Sequence, residues 1–518
     1  MNYIVQAVIL VYFVGMFALG ILGEQRTKNT ADYYVAGRQV NGFFAGIVYT
    51  TSLVSAGALV GWVSQTWQWG LYFIYAASAV TVATFLCWWL LGRKLCTCSR
   101  DLNLFTVPDF LEKRFESRTA RLIASLLIIT FSVPLLVTQF AAIGILFNVT
   151  TGLSYSAAVI CFGIIVFLYV SFGGYYAVVY TDVAQGILIL LGVIILLTAS
   201  VHRVGPSPQL QYQQIFPHGF ISWPDANSPI TPSFLVAFIL LTFFGALGGP
   251  NYIRGFYSIR NRRAFRQGFT ITVFIVVVLE ICIVLLGLYG RIIFPEIDTA
   301  DNVVYYMIQS LLPPLLAGIA LAGLSAAVMS TVDSLLIQCA STVENDILTK
   351  TFRLGLSERR RVSIARATVA IIGGICVFWG LNPPEYLAFL MYPAWGALGL
   401  SFAWVFFLGL YWRRFNKAGA ITSMVTSSIT FVVWNALGNP LGIYHIQMAL
   451  LVSVPATLIA TLLTPPPRAE TLSPFFAPLQ SPLIGDFFIF LLDISVQSDI
   501  IKISSIRSDF NDRKNPHQ

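Results

Sequence analysis

The sequence predicts an all-α integral membrane protein with about thirteen transmembrane helices, and three observations carry that prediction. First, 57% of the 518 residues are hydrophobic and only 10% are charged, where soluble domains carry about 25% charged residues. Second, apolar stretches that approach or exceed the roughly 20 residues a bilayer requires recur at 3–23, 42–64, 70–92, 120–147, 154–173, 178–201, 233–253, 270–290, 312–342, 363–381, 386–411, 418–437 and 447–464. Third, the Lys and Arg residues segregate. With the N-terminus outside, the inward loops and their flanks hold 23 of them and the outward loops hold 2, Arg203 and Arg291. That asymmetry follows the positive-inside rule and places the chain in the plasma (inner) membrane, N-terminus outside and C-terminus cytoplasmic. The net charge of +8 is thus a topology signal and does not point to nucleic acid.

Segment 3–23 has no basic region before it and no small-residue cleavage site after it, so it reads as a transmembrane helix rather than a signal peptide. Segment 49–65, YTTSLVSAGALVGWVSQ, carries hydroxyls and glycines at a depth where lipid-facing helices carry Leu and Ile. Trp67 and Trp69, and Trp88 and Trp89, read as interfacial anchors. The inward stretch 105–115, FTVPDFLEKRF, alternates apolar and charged residues as an interfacial helix does. The outward loop 202–232 is rich in Pro, Gly and Ser and suits a partly ordered lid. The outward loop 292–311 carries Glu296, Asp298 and Asp301, normal for a solvated face. Segment 243–254, FFGALGGPNYIR, sets Gly248, Gly249 and Pro250 in the body of a helix. No soluble domain fits between the spans, so residues 1–464 form one transmembrane domain. Pro465-Pro466-Pro467 opens a cytoplasmic, largely disordered tail over 465–518, in which 487–496 is apolar but too short to span.

Two features carry chemistry. Segment 321–342, LAGLSAAVMSTVDSLLIQCAST, places Ser330, Thr331 and Asp333 together in an apolar helix beside Gly323, Ser325, Ala326 and Ala327. A carboxylate at membrane depth costs a few kcal/mol at least, and persists where it faces a protein interior, a water path or a cation. Small residues let another backbone approach and hydroxyls supply hard oxygen ligands. The alternative is that the hydroxyls bond back to their own helix carbonyls. The second feature is the pair of interrupted helices, five spans apart. Gly and Pro free backbone groups that must be satisfied within the protein or by a solute, a pattern that points to a midplane site in an inverted-repeat transporter. A kink of purely structural purpose is the alternative. Seven cysteines and four histidines show no disulfide or metal-site spacing, and no nucleophile–base pair or phosphate loop supports an enzyme.

Four stretches in order, SFGGYYAVVYTDVAQG (171–186), GGPNYIRGFYSIRN (248–261), LSAAVMSTVDSLL (324–336) and GLYWRRFNKAGA (409–420), resemble the sodium:solute symporters, from about residue 3 to 464. Within the family the chain looks closest to the pantothenate and proline symporters, and TQFAAIGILF (138–147), SFGGYYA (171–177) and NPPEYLAF (382–389) read most like the pantothenate branch. The resemblance implies a LeuT-type core of two five-helix inverted repeats, spans two to six and seven to eleven, and Na⁺-coupled solute entry by alternating access. It implies Na⁺ ligands at the carbonyls of Thr51, Val54 and Ala327 and the hydroxyls of Ser330 and Thr331, oxygen ligands suited to a hard cation. It associates Asp182 with Na⁺ passage and Asp333 with a second cation site; an ordinary interfacial Asp near a helix N-terminus is the other reading of Asp182. Glu280 has no role in the family pattern. Leu53, Asn251 and Ala58 depart from it, the last arguing against a sugar.

The solute is expected between the second, fourth, seventh and eleventh spans, with Ser55, Ala56, Trp62, Gln139, Gly249, Asn251, Tyr392 and Trp395 as candidate contacts; helix packing is the alternative for each aromatic. No Lys or Arg lies mid-span there. A pantothenate-like carboxylate or a proline-like amino acid suits such a site and a multiply charged solute does not. Na⁺ is the coupling ion and no organic cofactor is implied; a small molecule and the lipid bilayer are the partners. A sensor acting with a separate kinase, or an uncoupled uniporter, are the competing functions. Neither the solute nor the oligomeric state is legible.

Overall fold

The computed structural model describes residues 3–476 apart from 56, 207, 216–223, 225–227, 229 and 383–386. Their architecture is all-helical, with one isolated parallel bridge between Val40 and Ile259. In chain order the helices are α1 (Tyr3–Arg26), α2 (Thr30–Val35), α3 (Gly42–Leu53), α4 (Trp62–Trp69), α5 (Phe73–Leu86), α6 (Arg93–Asp101), α7 (Val107–Phe115), α8 (Arg118–Thr151), α9 (Tyr155–Val204) and α10 (Pro208–Ile215). They continue as α11 (Pro232–Gly248), α12 (Pro250–Ile253), α13 (Arg262–Ile293), α14 (Val303–Leu311), α15 (Pro314–Ser341), α16 (Glu358–Gly380), α17 (Leu387–Tyr411), α18 (Lys417–Ala436), α19 (His445–Leu463) and α20 (Ala469–Phe476).

Among the described residues ten helices are long and apolar enough to cross a membrane, against about thirteen spans expected. Three features account for the difference. The second span is broken, and its second half runs on into the third as one helical stretch, Gly57–Asp101. The fifth and sixth spans join as α9, fifty residues interrupted only at Gly174 (φ 58°, ψ −152°), a backbone conformation available to glycine. The twelfth, α18, is a 20-residue helix rich in Ser and Thr and falls short on apolarity.

Both predicted interruptions are present. Helix α3 ends at Leu53 with Val54 extended (φ −89°, ψ 97°), and helical structure resumes at Gly57. Helix α11 stops at Gly248, Gly249 is extended (φ −63°, ψ 116°), and Pro250 starts α12. Gly248 is required there because a Cβ would meet the Ala403 amide nitrogen at 2.8 Å and press on the carbonyl of Gly399. Helix α15 is the centre of the molecule: every residue from Ala320 to Ser341 is buried, against α9, α1, α8 and α16. Its small residues permit this, since a Cβ on Gly323 would meet the Leu188 carbonyl oxygen at 2.7 Å.

The loops sort into two ends. At one, Arg38 donates to the Leu104 and Tyr257 carbonyls, Arg100 to the Ile259 and Arg260 carbonyls, and Thr30 to Glu358. At the other, Trp67 donates to the Phe294 carbonyl, and the Tyr212 hydroxyl accepts from the Leu71 amide. This is the segregation the basic residues predict. Trp88, however, is no interfacial anchor: it is 1% exposed, enclosed by Tyr49, Phe256, Phe265 and Phe269. Trp67 is also buried. Close packing of a polytopic bundle uses these aromatics as core. Most of the tail lies outside the described residues; its first part forms α20, with Phe475 buried.

Candidate solute and cation site

The site begins where α3 breaks. The last ladder bond of α3 runs from the Val54 amide to the Thr50 carbonyl. The next carbonyl, Thr51, accepts instead from the Ser330 hydroxyl of α15 at 3.0 Å. Ser330 also lies 3.2 Å from the Ala327 carbonyl, and the Thr331 hydroxyl lies 3.2 Å from the same oxygen. Four of the five predicted cation ligands thus form one cluster of uncharged oxygens, and the fifth, Val54, is the extended residue at the break. The hydroxyls do bond back to their own helix, as the alternative reading required, but Ser330 reaches across to α3 as well. The cluster is a set of hard oxygen donors of the kind a small cation takes.

Beside this cluster opens a small cavity of about 50 Å³. Its walls bring together Ser55, Trp62, Gln139, Asn251, Tyr392 and Trp395, six of the eight predicted solute contacts, from α4, α8, α12 and α17 and the α3 break. Ala56 lies outside the described residues. Gly249 does not line the cavity; it sits at the break behind Tyr252, whose ring a Cβ at that position would strike. Tyr252 and Leu335 line it unforeseen, and so does Thr331, which therefore belongs to both the oxygen cluster and the cavity wall. No described lining residue is charged. Gln139 is 2% exposed and its Oε1 has no hydrogen-bond partner, leaving a buried acceptor at the wall. Tyr392 is held by Gln65, whose amide donates to its hydroxyl at 2.8 Å.

The profile of the sodium:solute symporter family matches residues 33–427. The chain belongs to this family. It is 28% identical over 469 residues to the sodium/pantothenate symporter of Escherichia coli, covering 89% of this chain and 97% of that one. It is 27% identical over 468 residues to the osmoregulated proline transporter OpuE of Bacillus subtilis, covering 88% and 94%. A solved Na⁺-coupled sialic acid symporter superposes with a TM-score of 0.79 at 18% identity, over 90% of this chain and 99% of that one. MhsT in complex with L-phenylalanine gives 0.51 at 15% identity, over 80% and 98%. The fold is therefore that of the LeuT-type transporters. The protein is a multi-pass membrane transporter that couples Na⁺ to the symport of a small solute, and no enzyme.

In this symporter the three intramembrane acids have different surroundings. Asp333 is fully buried and accepts from the Tyr169 hydroxyl at both oxygens (2.5 and 2.6 Å), with the Thr181 hydroxyl 3.5 Å away. Asp182 is also fully buried, eight residues past the Gly174 break, which removes the reading of an interfacial residue. Neither of its oxygens accepts a hydrogen bond within 3.5 Å, and the Thr51 hydroxyl, Asp333 and Arg254 are the groups around it. Glu280 is buried in α13 with Oε2 unpartnered.

Sequence reasoning missed a second constellation, at the basic end. Asp109 of α7 accepts from Arg121 (2.9 Å), Lys350 (2.7 Å) and Asn345 (3.1 Å), and Arg121 also pairs with Glu112. Glu344 accepts from Arg361 (2.7 Å) and Tyr34 (2.5 Å). A local signal existed for one piece. Thr106 stands three residues before Asp109 and caps α7, accepting from its amide at 3.1 Å. Lys350, Asn345 and Tyr34 lie more than two hundred residues from their carboxylates, and even Arg121 and Arg361, 12 and 17 residues away, sit across a turn that spacing does not mark.

Proposed function

We propose that this symporter imports a small solute bearing at most one net negative charge, a pantothenate-like carboxylate or a proline-like amino acid. Na⁺ is held by the carbonyls of Thr51, Val54 and Ala327 and the hydroxyls of Ser330 and Thr331. The observation that carries this reading is Thr331, shared between the oxygen cluster and an uncharged cavity. The ligands themselves carry no charge, so the charge of a cation bound there is not neutralised by them and acts on a carboxylate in the cavity. The Gln139 acceptor suits a hydroxyl, amide or ammonium donor on the solute. The basic end faces the cytoplasm and the chain crosses the bilayer thirteen times. Spans two to six and seven to eleven form the two inverted repeats. Asp182 and Asp333 line the way from the Na⁺ site to the cytoplasm or a second cation site.

Because α3 and α15 supply ligands from two separate elements, the ion stabilises the arrangement that brings them together. A ligand shifts a conformational equilibrium only through such differential contact. The test is uptake into proteoliposomes of labelled pantothenate, proline, a monocarboxylate and glucose, with an inward Na⁺ gradient and with K⁺ in its place. One solute should accumulate with Na⁺ only. Equal entry with K⁺ would remove the coupling and leave a uniporter; binding without entry would favour a sensor.

A further inference from the structure

The triple proline at 465–467 leads not to free chain but to α20, which returns to the basic end of the bundle. Phe475 is 3% exposed and packs edge-on against Phe110 of α7, ring centroids 5.6 Å apart. The Phe476 ring lies among three cations: the Arg114 guanidinium at 5.5 Å, the Lys94 ammonium at 5.6 Å and the Arg413 guanidinium at 5.5 Å. Pro474 offers its carbonyl to the Cys98 thiol at 3.6 Å, and Thr471 donates to Glu116 at 2.7 Å. Arg114 explains why aromatic rings are wanted here. It is fully buried and donates to the carbonyls of Gly409, Trp412 and Phe415, with no carboxylate among its described bonds and Nη1 unpartnered. A desolvated guanidinium without a counter-ion is stabilised by π faces.

The elements that α20 touches belong to different parts of the molecule. Helix α6 continues α5, which packs on α11 and α13. Helix α7 leads into α8 and is fixed through Asp109 to Lys350, beyond α15. The third contact is α17, whose end Lys94 also binds at the Leu410 carbonyl, 2.9 Å. We propose that this surface is a docking site for the chain's own tail. Docked, Phe475 and Phe476 latch α6 to α7 and α17 and restrain opening of the cytoplasmic end; undocked, the tail releases it. The proposal rests on the alternating-access reading for its consequence, but the docking itself does not.

Spin labels at Thr97→Cys on α6 and Phe352→Cys beyond α15, with Cys96 and Cys161 replaced by Ser, report the separation of the two parts in the full-length protein. The intact tail should give one short distance, and Phe475→Ala with Phe476→Ala should add a longer one. In the same variant Cys98 should be alkylated about tenfold faster, as local undocking exposes it. Phe476→Leu keeps apolar volume without the π face and should shift both readouts the same way by less. An unchanged distance in both variants overturns the latch, and an unchanged Cys98 rate overturns the docking. Uptake in proteoliposomes is read separately: a protein that transports nothing would sink the symport reading and leave the distances interpretable.

Discussion

The oxygen cluster at the α3 break and the ion-paired end of the same bundle solve opposite problems with similar atoms. At the break the clustered oxygens are carbonyls and hydroxyls, and Asp182, beside Thr51, is paired with no cation among the described residues. At the basic end two buried carboxylates each face cations: Asp109 between Arg121 and Lys350, Glu344 against Arg361. Permanent pairs fix geometry, because removing one partner leaves an uncompensated buried charge. A site that must take and release an ion on each cycle cannot be built that way. The difference separates the part of the molecule that holds its shape from the part that turns over its ligand.

The contrast breaks most visibly at Asp109. Asp109→Asn should lower stability by about 3 kcal/mol, since a buried pair loses its anion, read as thermal unfolding in detergent; no loss would mean that Glu112 alone suffices for Arg121. Burial acts to raise the Asp109 carboxyl, but Lys350 and Arg121 outweigh it and hold it below the usual range. A depressed carboxyl contributes stability above its unfolded value of about 3.9 and loses it as pH falls through the folded value. The Asp109 contribution, taken as the difference between the unmutated protein and the variant, should therefore be full above about pH 5 and shrink below about pH 4.

Tyr169→Phe comes next, at about 2 kcal/mol, because it removes the donor to both Asp333 oxygens. An unaltered unfolding temperature would show that Asp333 has another partner in the membrane. Thr331→Ala should raise the Na⁺ concentration for half-maximal uptake about tenfold, equivalent to about 1.4 kcal/mol, while the unfolding temperature stays put. Unchanged Na⁺ dependence would falsify the cation-site assignment. The smallest effect belongs to Arg366→Ala. Its pair with Glu24 spans 3.8 Å between half-exposed side chains, and exposed pairs contribute under about 1 kcal/mol. A larger loss there would blur the distinction between the two regions.

Legibility followed the range of the interaction. Ser330, Thr331 and Asp333 announced themselves because polar residues in an apolar helix violate a local rule. Gly248 and Pro250 did so because they interrupt one. Trp88 reads as an anchor from sequence and is core in the structure, because a tryptophan at a helix end looks alike whether it meets lipid headgroups or four other rings. Gly249 reads as a candidate solute contact because sequence marks the break without saying which side of it faces the cavity. Tyr169 sits in an ordinary apolar stretch, and nothing local distinguishes the tyrosine that meets Asp333 from its neighbours.

The sequence by itself determined that the chain is a polytopic helical membrane protein, how its basic residues segregate, and which two helices are broken. These follow from bilayer thickness, desolvation of charge and backbone satisfaction, each of which acts within one segment. Only the tertiary structure decided that Thr331 is shared by cluster and cavity, that Asp182 is buried beside Thr51 and Asp333, and that the tail returns to Arg114. Those facts depend on how helices hundreds of residues apart are packed, and packing is set by the complementarity of whole surfaces that no single segment encodes.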